Sequence, residues 1–159
     1  MLTKKNKITW VNLLHFYQPS TADNETIIEA AEKSYKRIIS ALKRNRQIKF
    51  TLNLTGCLLD RLEILGYKEL INDLKKLLNT GQIELTGSAA FHPLLALLPD
   101  EEIIRQIKLN EKILKKYFGA NFKAQGFFMP EAAYGINAAK IVKKLNYRWI
   151  MLDEISADI

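Results

Sequence analysis

The 159 residues carry a formal net charge of +7, with 48% hydrophobic and 26% charged residues. That balance suits one globular domain with a sizeable core, and no apolar stretch approaches the ~20 residues of a membrane span. The lysines are scattered and fall mostly late in expected helices, where they complement the helix dipole, so no nucleic-acid surface is expected. Cys57 is the one cysteine, which excludes an internal disulfide and points to a reducing cytoplasm.

Taken in chain order, "MLTKKNKITWVNLLHF" sets lysines before an apolar run. Asn12 and His15 interrupt that run and no small-residue cleavage site follows, so residues 8–15 read as a first strand and not as a leader. Their near-continuous apolar character predicts cover on both sides. After the polar loop "FYQPSTADNE", Ile28, Ala31, Tyr35, Ile38 and Leu42 recur at helical spacing. Residues 48–54 alternate as a second strand, with Lys49, Thr51 and Asn53 on its polar side. Leucines 58, 59, 62 and 65 predict a helix ended by Gly66, and a further helix stops at Gly81. "QIELTGS" (82–88) is a third strand, and a helix N-capped by Asp100 runs to Gly119. A fourth strand, "AQGFFMP", a helix over 135–146 and a fifth strand over 147–153 complete the pattern.

Such β-α alternation argues for parallel strands with right-handed crossovers in one domain over 1–159. From periodicity alone, an open doubly wound sheet and an incomplete β/α barrel both remain.

Polar residues collect at strand ends. His15 ends the first strand, Glu131 the fourth, and Asp153 and Glu154 the fifth; His92 lies in the loop after the third. Gln82, Glu84 and Thr86 share one side of the third strand. Loops at the C-terminal edge of β/α folds build active sites, and a polar inward face lines a solvated pocket or carries a desolvation penalty. Singly, each residue has a plain structural explanation: a hydrogen-bonded histidine, a loop histidine, an edge acid, a helix-start acid, a loop lead. Together, they are expected to converge.

"LLHFYQPS", "GQIELTGSAAFHPLL" and "GFFMPEAAYG" resemble, in order, the first three motifs of glycoside hydrolase family 57. The resemblance covers nearly all of residues 8–154. It implies an incomplete (β/α)7-type barrel of which this chain supplies the first five strands. It further implies a retaining hydrolase or glucanotransferase acting on α-linked glucans, needing no cofactor. By the same resemblance, Glu131 falls at the catalytic nucleophile. His15, Gln18, Glu84, His92 and Asp153 fall at substrate-binding or supporting positions. Phe16, Tyr17, Phe91 and Tyr134 are candidates to stack on sugar rings.

Two departures stand out. Tyr17 replaces the second histidine of the first motif, and the family's acid/base aspartate belongs to a fourth motif that lies beyond this chain. The chain alone is therefore expected to be inactive or nearly so. The rival expectations are a metal-dependent polysaccharide deacetylase, which needs an Asp and two His around a cation, and a non-catalytic carbohydrate-binding barrel.

Overall fold

The computed structural model describes residues 10–153 and 155. Strand β1 (Leu13–Phe16) pairs in parallel with β2 (Phe50–Leu54), and β2 with β3 (Ile83–Leu85). Strand β4 (Gly126–Phe128) pairs in parallel with β5 (Trp149–Met151), and a parallel bridge from Gly87 to Phe127 joins the two ladders. Spatial order thus follows chain order. The fold class expected from the sequence, α/β with parallel strands, is the one found.

The apolar side of each strand faces the helices. Leu52, Leu54, Ile83 and Leu85 pack with Leu58, Leu59 and Leu62 of α3 (Gly56–Ile64) and Leu74 of α4 (Lys68–Asn79). A second cluster joins Phe127 and Met129 to Ile103 and Ile107 of α5 (Asp100–Phe118) and to Ile141 and Val142 of α6 (Ile136–Lys144). Registers His15↔Asn53 and Thr51↔Glu84 put His15, Asn53 and Thr86 in one row on the opposite, polar face, because side chains alternate along a strand.

Three local expectations are corrected. The first strand starts at Leu13, while Trp10 and Val11 are 82% and 71% exposed. The ladder ends where Thr51 N–H donates to the Asn12 carbonyl, so the beginning of the apolar run has no neighbouring strand among the described residues. The first long helix runs as α1 (Asn24–Ala30), a π-turn over Ala31–Tyr35 and α2 (Lys36–Arg44). The wider turn rotates the buried stripe to Ile27, Ala31, Tyr35, Ile39 and Leu42, leaving Ile28 exposed. Helix α5 takes Pro99 as its N-cap residue, because the Pro99 carbonyl already accepts from the Glu102 and Ile103 N–H groups; Asp100 is the first helical residue and makes no capping bond.

Gly87 marks the seam between the ladders. A Cβ there would collide with the ring of Tyr147, whose displacement would disturb its edge-on packing against Phe127 and the bond its hydroxyl donates to Glu111 (2.9 Å). Gly87→Ala should destabilise the fold by about 1–3 kcal/mol, read as a lower urea midpoint with an unchanged slope.

Candidate functional site

At the C-terminal end of the sheet four rings form a pile. The Tyr17 and His92 centroids lie 4.3 Å apart, His15 and His92 4.8 Å, His15 and Phe128 4.9 Å, and His15 and Tyr17 5.4 Å. Beneath His15 the chemistry is fixed by two buried polar side chains. Asn53 Oδ1 accepts from His15 Nδ1 (2.8 Å), and Asn53 Nδ2 donates to Thr86 Oγ1 (3.0 Å). An amide oxygen only accepts, so the His15 proton sits on Nδ1 and Nε2 keeps its lone pair for an external donor.

His92 has only 1% of its side chain exposed, and its Nε2 lies 3.3 Å from Oε1 of Glu131, whose side chain is 64% exposed. That approach is not aligned as a hydrogen bond, so neither His92 ring nitrogen has a hydrogen-bond partner among the described residues. Backbone strain collects here. His92, Glu131 and Ala132 have φ of 56°, 57° and 52°, a left-handed region that costs non-glycine residues about 1–3 kcal/mol each.

The surroundings hold that strain. Phe91 N–H donates to Gln106 Oε1 (3.2 Å) and Ala90 N–H to the Gln106 carbonyl (3.2 Å). Gly56 N–H donates to Asn110 Oδ1 (2.8 Å), Cys57 N–H to the Ala90 carbonyl (3.2 Å) and Ser88 Oγ to the Phe128 carbonyl (3.0 Å). Gln106 and Asn110 were not foreseen, although two amides four residues apart inside the apolar stripe of α5 were a legible signal. Tyr35, placed by the π-turn, donates its hydroxyl to the Tyr17 carbonyl (3.2 Å) and holds the loop after β1.

Burial, then the neighbouring His15, pulls the His92 pKa down to about 4 against the opposing charge of Glu131. Desolvation lowers His15 as well, opposed by its Asn53 bond and by Glu131. Both imidazoles are therefore neutral near pH 7.

Of the remaining sequence candidates, Gln18 and Asp153 fall beside this group. Gln18 is half-buried beside the Tyr35 hydroxyl. Asp153 donates its N–H to the Ala132 carbonyl (3.4 Å), next to the Glu131 turn, while its carboxylate accepts from Ile155 N–H (3.1 Å). Glu84 is exposed on the same strand face as Thr86, two residues or about 7 Å nearer the strand start, and is not brought into the ring pile. Glu154 lies outside the described residues. Among the sugar-stacking candidates, Phe16 is buried at 3% exposure against Tyr35 because its strand position faces the helices; it is core. Phe91 is exposed at 45%. Among the described residues no three His, Cys, Asp or Glu side chains gather as metal ligands.

The family model for glycosyl hydrolase family 57 matches residues 2–159. The chain is 26% identical over 148 residues to an α-amylase of Pyrococcus horikoshii, covering 93% of this chain but 23% of that relative. It superposes on the crystal structure of 4-α-glucanotransferase from Thermococcus litoralis with a TM-score of 0.82 at 22% identity, covering 90% of this chain and 22% of that one. A branching enzyme from Thermococcus kodakaraensis aligns with a TM-score of 0.74 at 19% identity, over 88% and 38% of the two chains. The chain thus spans less than a quarter of the length of the curated relative named above.

The depressed His92 pKa gives a signed prediction. Between pH of about 6.5 and about 4, the unfolded chain binds a proton that the folded one refuses, so stability falls as pH falls through that window. His15, Tyr17 and Glu131 are the titratable groups facing His92. The loss should reach ~3 kcal/mol, and His92→Gln should flatten the pH dependence of the urea midpoint.

Proposed function

The chain belongs to glycosyl hydrolase family 57, and on that premise we propose that it carries the nucleophile side of a retaining hydrolase or glucanotransferase acting on α-linked glucans. The observation that carries this reading is Glu131: an exposed carboxylate on a strained turn at the end of β4, set against a neutral histidine pair. The α-amylase and 4-α-glucanotransferase names of the relatives favour the substrate class.

In the proposed first step a Glu131 oxygen bonds to the anomeric carbon as the glycosidic C–O bond breaks. The electron pair leaves on the departing oxygen, which takes a proton from a second carboxyl group. Water, or the hydroxyl of another glucan, then attacks the anomeric carbon as the bond to Glu131 breaks; its proton passes to the second carboxyl group, which is restored as the acid, and Glu131 leaves as a carboxylate. Retaining chemistry sets the two carboxyl groups about 5–5.5 Å apart. We assign the second one to a part of the catalytic domain outside these 159 residues, so this chain alone is read as inactive. Strand order equal to chain order supports its reading as the first five strands of a (β/α)7-type barrel wall.

With its proton on Nδ1, His15 presents Nε2 as an acceptor for a sugar hydroxyl, and Gln18, His92 and Asp153 are assigned supporting places around it; Glu84, lower on its strand, is assigned no contact with the ring pile. Tyr17 presents a ring in place of an imidazole. The family match favours this reading over a metal-dependent deacetylase, and Asp153 turns its carboxylate to Ile155 N–H. We place the protein in the cytoplasm, since its one cysteine is a buried free thiol; no helix among the described residues is long and apolar enough to cross a membrane.

In the full-length enzyme, Glu131→Gln should lower turnover of an α-1,4-glucan by roughly 10³-fold or more with glucan binding retained. Unchanged turnover would sink the assignment. Glu131→Ala should regain turnover with added azide and release a glycosyl azide.

A further inference from the structure

The His92–Glu131 contact goes beyond a shared location. We infer that His92 is a positioning residue whose Nε2–H holds Oε1 of Glu131, so that the other carboxylate oxygen is aimed at the sugar carbon. The inference rests on Glu131 being the nucleophile. It gives His92 a role other than touching substrate.

Four observations carry it. First, the geometry gives His92 one outlet: its side chain is 1% exposed and its Nε2 is 3.3 Å from Oε1 of Glu131. Second, neither ring nitrogen has a hydrogen-bond partner among the described residues, which is rare for a buried imidazole and leaves Oε1 of Glu131 as the acceptor within reach of Nε2. A lone pair on Nε2 would face the lone pairs of the carboxylate, so the favourable tautomer carries its proton there. Contacts of this kind often tighten only when substrate is in place.

Third, the side chain is walled in. Tyr17 covers it at 4.3 Å and His15 flanks it at 4.8 Å, so a sugar hydroxyl cannot reach the ring without displacing Tyr17 or Glu131. Fourth, both partners are held on strained backbone, with φ of 56° at His92 and 57° at Glu131. The His92 loop is tied to Gln106 of α5 and to the start of α3. Strain persists at a site only where surrounding contacts over-determine it, and a donor fixed to that degree can set the angle of an attacking oxygen. Glu131 itself is 64% exposed, so its second carboxylate oxygen is open to a ligand.

The test uses near-isosteres that differ in one donor. In the full-length enzyme, His92→Gln keeps an N–H near the Nε2 position and His92→Met removes it. We expect the Met variant to lose about 10²-fold in kcat with KM for α-glucan within a few-fold of the parent, and the Gln variant to recover most of the loss. Should the Met variant fail to fold, His92→Phe keeps a ring in the pile without the donor and is read in the same way. A donorless variant with parental kcat overturns the inference. So does a rise in KM at constant kcat in both Met and Gln variants, which would make His92 a substrate ligand. The nucleophile reading is judged separately by azide rescue of Glu131→Ala. Rescue together with parental kcat in His92→Met removes only the positioning role, whereas absence of a glycosyl azide removes the nucleophile itself.

Discussion

Asn53 sits in the middle strand with no access to solvent and joins both neighbouring strands through its amide, accepting from His15 Nδ1 and donating to Thr86. A buried amide left unpaired costs about 1–3 kcal/mol, so these two bonds tie the strand register to polar satisfaction. A slip of one residue would turn His15 toward the helices and leave Asn53 without partners. The same register that closes the apolar core therefore orders the polar face. It sets the His15 tautomer, and the His15 ring in turn becomes the base on which Tyr17, His92 and Phe128 stack.

Helix α5 plays the complementary part from outside. Its apolar residues seal the second core cluster, and its two buried amides reach past that core to backbone groups on either side of the site. One end of α3 is satisfied by Asn110, and the loop that carries His92 by Gln106. The core alone would leave that loop free to relax out of its left-handed conformation. Fastened at several points, it keeps a conformation that its own residues disfavour.

The alternation of strands and helices was legible because each element carries its own period: Ile83 and Leu85 against Glu84, or the leucines of α3. What escaped depended on distant partners. The π-turn is set by Tyr35 meeting Phe16 and the Tyr17 carbonyl, and no local spacing announces it. Trp10 and Val11 read as strand because apolar residues look alike whether or not a neighbour pairs with them. At the site, strand-end position was enough to single out His15, Glu131 and His92. The stacking of one histidine on the other, and the burial of His92 below Glu131, follow from loop paths fixed by Gln106 and Ser88 over long sequence separations. Glu84 shows the opposite limit: its face was read correctly, but its level along the strand keeps it from the ring pile.

Charge distribution completes the physical case. The ion pairs Lys33–Glu29, Lys36–Glu32 and Arg105–Glu102 lie on exposed helix faces, where such pairs contribute about 0–1 kcal/mol. The ring pile, by contrast, holds two histidines kept neutral and one carboxylate at its mouth. A cationic histidine there would pair with Glu131 and compensate its charge. Neutral imidazoles hold the carboxylate by geometry and leave its charge uncompensated, which on the proposed chemistry is what an anomeric carbon gaining positive character in the transition state calls for. Burial of His92 thus serves the site twice: it fixes a donor in place and keeps that donor from becoming a competing cation.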